Sequence, residues 1–370
     1  MKILKILLIP TLIVISLILG SCISKAPEGN KAKTAKKPLK LEIPVLEQTP
    51  LKQLDLSKNP NYTRFAKYAE AGPVIPGLME GSVPQGLAYL KEKGWLLISS
   101  YMNRALPSNI TAVDLKDGKL KKTIWLAEEG GVPFTGHVGG ICVSKKHIWV
   151  ASGNGLHGIL IENFLKAKDN STLIFSTDFP TEVRASFATS TDGYVWVGEF
   201  SYYPDGIASR YSTKKLHHLK APDGKNQYGW AVGYKLDEET DMPVSAQPQY
   251  VLSIMDKVQG MAFYRDYIFL STSYGRSNNS RLLVHKNPMI ALKDKPHTYV
   301  ELGGKKVPLW FIYSGNQANV LVTPSMMEGI TMAEGKLALL FESGADKYRS
   351  TGIWPLDKMY LLDIERFLKE

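Results

Sequence analysis

The feature of this sequence that most constrains its fold is a unit that occurs five times. Each copy begins with a polar residue followed by a small one, usually glycine, and continues with alternating apolar residues, a turn and a second apolar run. Recurrence of this kind is typical of propellers and other repeat architectures, in which each supersecondary unit packs against the next. The copies are residues 84–89 with 95–101, 137–143 with 147–153, 186–190 with 194–200, 258–263 with 267–274, and 327–331 with 336–343.

Further β-rich segments between the copies bring each unit to four antiparallel strands, the content of a propeller blade. The last unit supplies only three, so we expect a strand from residues 41–76 to complete it and close the ring. Closure removes the exposed edges that an open sheet would carry. The additional segments are 109–115 and 120–126, 159–162 and 172–176, 230–236 and 249–254, 280–285 and 307–313, and 358–363.

The spacing of the units predicts how many blades the ring contains. The small residues that open the copies, from Gly86 to Gly329, are separated by 54, 48, 72 and 69 residues, whereas a four-stranded blade takes about 40 to 50 residues. The two long intervals therefore contain insertions, mainly at 201–229 and 286–306, or else an unrecognised sixth blade. Since every interval already holds four strand segments, we predict an all-β propeller of five blades, with six blades as the alternative.

The N-terminus is typical of an export signal. Lys2 and Lys5 precede an apolar run at 6–19, and small residues follow it up to Cys22. This ending resembles the bacterial lipobox, in which the cysteine is acylated, for example with palmitate, and Ile23 implies no inner-membrane retention. The alternative is a membrane-anchoring helix with an incidental cysteine. The expectation is a lipoprotein on the extracytoplasmic side of the bacterial cell envelope, held at the outer membrane or cell surface.

Charge and composition divide the rest of the chain. We predict a signal peptide at 1–21, a flexible lysine-rich tether from the lipidated cysteine through residue 52, and one propeller domain at 53–370. The formal charge is +10, of which residues 1–52 carry +6, so the predicted domain is only mildly basic. It contains no basic run interleaved with aromatic residues, which argues against nucleic acid as a partner. Two cysteines exclude a disulfide scaffold, and Cys142 lies in an apolar segment that predicts burial.

Several strings of the repeats resemble a group of secreted, largely uncharacterised bacterial propeller proteins. They are Gly136-His-Val-Gly-Gly-Ile141, Ser271-Thr-Ser-Tyr-Gly-Arg276 with Asn278-Asn279-Ser280, and Met327-Glu-Gly-Ile330 with the string at 341–349. The likeness covers roughly residues 80–365. A looser resemblance, at the level of fold, links the chain to calcium-dependent gluconolactonase-type propellers, which hold calcium with Glu, Asn and Asp residues around the axis.

Polar residues at the strand ends predict a site at the mouth of the channel. The starts of the innermost strands and the ends of their antiparallel neighbours converge on one face of a propeller. A polar ligand pocket there is one interpretation, and a water-filled channel with solvated strand ends is the other. The candidate ligand-binding residues are Gln85, His137, Ser186, Gln259 and Glu328 at the starts, with Glu199, Tyr274, Arg276 and Glu342 at the ends.

Two classes of function agree with such a site. The first is a propeller that binds a small-molecule or protein ligand while its anchor holds it on a membrane. The second is a metal-dependent hydrolase of small esters or lactones, with Glu328 and His137 as candidate catalytic residues and Glu328 as a candidate calcium ligand. We favour binding, because Glu328 is the only Glu, Asp or Asn among the strand starts. A five-bladed glycosidase would need two separated carboxylates as its acid and base, so a glycosidase has still less support from the strand starts.

Overall fold

The computed structural model describes residues 42–52, 54–292 and 295–370. The predicted signal peptide, Cys22 and most of the predicted tether lie outside these residues. Residues Ile43–Glu370 form one compact unit. Within the described part of the chain, no helix is both long enough and apolar enough to cross a membrane.

Strands make up most of the regular structure. In chain order they are β1 (Ala69–Val74), β2 (Ser82–Leu90), β3 (Trp95–Met102), β4 (Asn109–Asp114), β5 (Leu120–Ala127), β6 (Gly140–Val143), β7 (His147–Ser152), β8 (Gly155–Leu160), β9 (Ser171–Ile174), β10 (Thr177–Pro180), β11 (Phe187–Thr191), β12 (Tyr194–Gly198), β13 (Leu219–Lys220), β14 (Asn226–Gln227), β15 (Gly229–Lys235), β16 (Tyr250–Ile254), β17 (Val258–Tyr264), β18 (Tyr267–Thr272), β19 (Ser280–Lys286), β20 (Thr298–Leu302), β21 (Lys305–Phe311), β22 (Gln317–Thr323), β23 (Met327–Ala333), β24 (Lys336–Phe341) and β25 (Lys358–Leu362). The α-helices are α1 (Thr63–Tyr68), α2 (Ile161–Lys166), α3 (Pro288–Ala291) and α4 (Ile364–Leu368), and short 3-10 turns occupy Leu56–Lys58, Glu129–Gly131, Pro204–Gly206, Lys215–His217 and Ser314–Asn316.

The strands form a five-bladed propeller, which confirms the prediction. From the channel outward, the blades are β2-β3-β4-β5 (blade I), β6-β7-β8-β10 (blade II), β11-β12-β15-β16 (blade III), β17-β18-β19-β22 (blade IV) and β23-β24-β25-β1 (blade V). The innermost strand of each blade contacts the innermost strand of the next, and β23 contacts β2 to complete the ring. Apolar faces of adjacent blades pack together, as where Trp149 of blade II clusters with Val195 and Val197 of blade III.

An N-terminal strand closes the ring, as the incomplete fifth unit predicts. β1 pairs antiparallel with β25, with Ala69 opposite Leu362. An ion pair beside this closure joins α1 to the residues after α4, since Arg64 Nε lies 2.9 Å from Glu370 Oε2. Blade V therefore contains both an early and a late segment of the chain, so that unfolding this blade requires both to detach.

The assignment of two predicted strands to blades is wrong. The repeat predicts that the segment at 172–176 belongs to blade II. In the structure this segment forms β9, which pairs parallel with β5 of blade I. The segment at 307–313 was expected in blade IV, but β21 pairs parallel with β16 of blade III. In both blades the connection from the third to the fourth strand reaches back and covers the outer edge of the preceding blade. Apolar patterning identifies a strand but not the sheet edge that it covers.

The folded unit also begins earlier than the predicted boundary at residue 53. Leu46 is 2% exposed. The Gln48 amide donates to Val74 O at 2.7 Å and accepts from Leu120 N at 2.7 Å. Leu51 N donates to Asp357 Oδ2 at 2.8 Å. A few side chains hold this segment against the propeller, and a composition rich in Lys and Pro gives no sign of such contacts.

The small residue of the repeat is explained by the packing of backbones around the channel. A Cβ on Gly329 would lie 2.6 Å from Leu87 N, and one on Gly86 would lie 2.6 Å from Ile141 N, so no side chain fits at either position. A hydroxyl group of a second strand also bonds to the inner strand of the next blade, since Ser271 Oγ of β18 donates to Glu328 O of β23 at 2.7 Å. The repeat thus follows from the narrow spacing of the five inner strands.

Candidate ligand-binding site

A cavity of about 610 Å³ opens at one mouth of the central channel. Its wall includes eight of the nine candidate ligand-binding residues, drawn from blades I to V. The convergence arises because the innermost strands start, and the second strands end, at the same face of the ring. The eight are Gln85, His137, Ser186, Gln259, Tyr274, Arg276, Glu328 and Glu342.

Irregular pairing at the strand starts aims three of these side chains into the cavity. The register between the two innermost strands of a blade shifts at Gln85 in blade I, at Gln259 in blade IV and around Glu328 in blade V. An extra residue of this kind turns the local backbone and redirects a side chain. Met326 adds to the irregularity in blade V, because its φ of 65° is in the left-handed region.

Two carboxyl groups form the polar centre of the cavity. Gln259 Nε2 donates to Glu328 Oε1 at 3.1 Å, and Gln85 Nε2 donates to Glu342 Oε2 at 2.8 Å. Burial, with the neighbouring Glu342 carboxylate, raises the pKa of Glu328 well above its ordinary value. Burial likewise raises the pKa of Glu342 to about 7, although hydrogen bonds and nearby cations oppose the shift. The pair therefore retains a proton near neutral pH and offers both an O–H donor and carboxylate acceptors.

His137 contributes a neutral ring to the wall. The His137 side chain keeps solvent-accessible surface at the cavity, although other protein groups surround it closely. The Tyr101 ring packs against the His137 ring, with centroids 4.9 Å apart. Desolvation, together with the positive charges of Lys347 and Arg184, lowers the pKa of His137 to about 4. At neutral pH the imidazole offers one donor and one acceptor.

Arginines give the cavity an excess of positive charge. Arg184, Arg210 and Arg276 line it, and within the described ranges none of the three takes part in a salt bridge. Their protein contacts are neutral oxygens, as in the 2.7 Å bond from Arg276 Nη1 to Thr351 Oγ1. Each guanidinium therefore keeps donors that an anionic ligand could use.

A loop between β24 and β25 adds residues that the repeat did not predict. Lys347 Nζ donates to Tyr101 Oη at 2.7 Å, and Tyr101 Oη lies 3.0 Å from Tyr348 Oη. Burial raises the pKa of Tyr348 to about 12 and lowers the pKa of Lys347, so the tyrosine stays neutral. Further lining residues from outside the candidate set are Tyr101, Gly153, Arg184, Ala185, Phe200, Arg210, Tyr211, Ser273, Gly275, Met326 and Tyr348.

The lining residues that come from insertions and loops lie out of phase with the repeat, so the sequence pattern did not predict them. Arg210 and Tyr211 come from the insertion in the third unit. The length of this insertion does not predict which of its residues lie at the channel. Lys347 and Tyr348 belong to the string at 341–349, and a cation and an aromatic residue five and six positions after the candidate carboxylate Glu342 were the available signal.

Glu199 is the candidate that does not line the cavity. Its side chain is 2% exposed and accepts from Trp230 N at 3.0 Å, while Glu199 Oε1 lies 2.5 Å from His217 Nδ1. The His217 ring is fully buried and stacks on Trp230, with centroids 4.0 Å apart. The insertion in the third unit folds back to cover Glu199, so the contacts of this carboxylate lie inside blade III.

The donor set does not fit the expected calcium ion. Among the described residues, no group of three or more His, Cys, Asp or Glu side chains is placed to hold a metal. Calcium takes six to eight oxygen ligands, whereas Glu328 and Glu342 are the only carboxylates of the cavity wall. The Gln85 and Gln259 atoms that contact these carboxyls are N–H donors, which are not calcium ligands. Three arginines also line the cavity. We therefore derive no chemical step through a metal at this site.

Comparison with known proteins finds distant structural neighbours. No protein family model matches the chain, and no curated protein sequence matches it. The glutaminyl cyclase of Myxococcus xanthus is 8% identical with a TM-score of 0.40, and the match covers 80% of this chain and 96% of that one. The RS223 β-xylosidase is 9% identical with a TM-score of 0.44, covering 80% and 94%.

A gluconolactonase from Xanthomonas campestris is also similar in structure. It is 10% identical with a TM-score of 0.35, and the match covers 80% of this chain and 94% of that one. These matches show no sequence family, and the propeller fold of this chain rests on its own strand order. The activities of these proteins are their own, and the site of this chain is described by its own residues.

Proposed function

We propose that this protein is an exported, lipid-anchored propeller that binds a small polar ligand in its channel-mouth cavity. The observation that carries the proposal is the convergence of polar side chains from all five blades on one cavity. Its volume of about 610 Å³ lies within the range of small-molecule sites, which is about 300 to 1,000 Å³. A channel filled only with water has no need for a buried carboxyl pair beside arginines that form no ion pair within the described part of the chain.

Binding is better supported than metal-dependent hydrolysis. The second function depends on a cation that polarises the ester or lactone, and the carboxyl pair is instead surrounded by N–H donors and positive side chains. The neutral imidazole of His137 and the carboxyl pair, which offers both donor and acceptor groups, are suited to hydrogen-bonding a polar ligand. The site also offers no hydroxyl or thiol nucleophile paired with a base among its described contacts.

A thermal-shift panel tests the binding function. Protein lacking residues 1–22 is screened against neutral sugars, acidic sugars, amino acids, dicarboxylates and inorganic phosphate, and hits are measured by calorimetry. We expect at least one class to raise the Tm, because a ligand that binds only the folded state stabilises it. In the triple variant His137→Ala, Arg276→Ala, Glu328→Gln, the shift should disappear.

Two results would contradict this proposal. One is a panel in which no compound raises the Tm of the wild type above that of the triple variant. The other is a hit whose affinity survives the three substitutions, which places binding elsewhere. The ligand-free melting curve of the triple variant is the control for its folding.

The anchor is a separate part of the proposal and rests on the sequence around Cys22. The resemblance of several strings to secreted bacterial propellers, which stays an expectation from the sequence, agrees with the same export route. We expect the full chain, expressed in a bacterium and labelled with a palmitate analogue, to carry label and to sediment with membranes. Cys22→Ala should lose both properties, since one cysteine receives the acyl chains. Membrane association of an unlabelled Cys22→Ala variant would instead favour an uncleaved anchoring helix.

A further inference from the structure

The walls of the cavity combine three kinds of surface that are seldom found together. Arg184, Arg210 and Arg276 supply positive charge at the wall and rim. Glu328 and Glu342 supply carboxyl groups at the polar centre, and their glutamine partners supply neutral amide groups. Aromatic side chains occupy much of the remaining wall: Tyr101, Phe200, Tyr211, Tyr274 and Tyr348.

We propose that the cavity binds an acidic sugar, a hydroxylated ring that carries one anionic group. The inference rests on the proposed binding function and names its ligand class. The arginines hold the anionic group through charge-assisted hydrogen bonds. The hydroxyl groups of the ring pair with the carboxyls and with Gln85 and Gln259, and its apolar C–H edges contact the tyrosines.

The carboxyl pair favours hydroxyl groups over an ammonium group. A hydroxyl both donates and accepts a hydrogen bond, and the pair with its shared proton offers the matching acceptor and donor. An ammonium group would face the positive charges of the three arginines and the glutamine N–H groups that already donate to the carboxyls. Burial also raises the pKa values of both glutamates and so opposes the ionised form that would pair with it. An amino acid or an amine is therefore a poorer match than a sugar.

The arginines favour an acidic sugar over a neutral one. A neutral ring would leave the three guanidinium groups of one cavity without a direct ion-pair partner among the described residues. Arg276 is held over the Tyr348 ring at 5.0 Å, and Arg210 lies over Tyr211 at 4.8 Å. These contacts orient the guanidinium groups beside aromatic surface, so that the anionic group and the C–H face of one ligand can be bound together.

Calorimetry with matched sugars tests the inference near neutral pH. Glucuronate and galacturonate differ from glucose and galactose at C6, where a carboxylate replaces a hydroxymethyl group. We expect the uronates to bind at least about tenfold more tightly than the hexoses, since a charge-assisted hydrogen bond contributes about 1.5–3 kcal/mol. Glucose 6-phosphate shows whether a phosphate is preferred to a carboxylate, and a uronate trisaccharide shows whether the chain end of a polysaccharide binds better than the free sugar.

A charge-removal variant assigns the effect to the arginines. Arg184→Gln with Arg276→Gln should weaken uronate binding by about 10- to 100-fold and leave hexose binding within about twofold. The control is Arg104→Gln with Arg281→Gln, which removes the same charge from two arginines outside the cavity wall. That variant should bind uronate as the wild type does.

The outcomes separate this inference from the binding function beneath it. Equal affinity for uronate and hexose would overturn the acidic sugar, as would uronate binding that the arginine variant leaves intact. If a dicarboxylate or an amino acid binds and loses affinity in the triple variant of the panel, the cavity is a binding site and the ligand class is wrong. If no compound of the panel binds, both proposals fail.

Discussion

Raising the pH from about 5 to about 8 is expected to destabilise the wild-type protein more steeply than its double variant Glu328→Gln, Glu342→Gln. The folded state raises the pKa of Glu342 from 4.5 to about 7 and that of Glu328 well above 4.5. Over this pH range the folded state binds more protons than the unfolded state, so the free energy of unfolding falls as pH rises. For Glu342 alone, the shift corresponds to roughly 3 kcal/mol.

The groups around the pair determine how large this effect is. Gln85 and Gln259 donate to the carboxylates, and the positive charges of Lys347 and Arg276 also favour ionisation of Glu342. Burial outweighs these interactions, which is why the net pKa shift is upward. Ligand binding to the arginines would add negative charge to the cavity, so we expect an acidic ligand to steepen the pH dependence.

Urea unfolding at several pH values measures the effect. The control is Glu92→Gln with Glu128→Gln, which removes two carboxylates that are exposed and outside the cavity. The control variant should keep the wild-type slope of stability against pH, and the cavity variant should have a flatter one. Equal slopes for the wild type and the cavity variant would mean that both carboxyls ionise in the folded state as they do in the unfolded chain.

Gly140→Ala is expected to lower the free energy of unfolding by about 3 kcal/mol or more. An added Cβ would lie 2.5 Å from Phe187 Cα and 2.7 Å from Phe187 C, both backbone atoms of the neighbouring blade. Backbone atoms cannot rotate away, so blades II and III would have to separate. This disturbs the contact of β6 with β11 in the inner ring.

Gly352→Ala is the control, because its Cβ would meet Tyr348 O at 3.3 Å and no other atom nearer than 4.0 Å. We expect a change of less than about 1 kcal/mol for that variant. The measurement is denaturant unfolding of both variants beside the wild type. A Gly140→Ala protein of wild-type stability would show that the inner strands have more room than their backbone spacing indicates.

The fold was predictable from the sequence to a large extent, because a propeller repeats one local pattern. The Gly at position 86 and its counterparts, the alternating apolar residues and the incomplete last unit together predicted five blades and a closing N-terminal strand. The same pattern placed Gln85, Gln259 and Glu328 at the channel, since their position within each unit fixes their position in the ring. Periodicity contains this information because each blade has the same relation to the axis.

What the sequence alone determined is therefore the repeat, its closure and the in-phase residues of the site. The tertiary structure decided which sheet edge β9 and β21 cover, that Glu199 pairs with His217 away from the cavity, and that Arg210 and Tyr348 line the cavity, with Lys347 bonded to Tyr101 of its wall. The physical reason is that these features depend on insertions and loops. Their course is set by contacts between residues far apart in the chain, and no local period records those contacts.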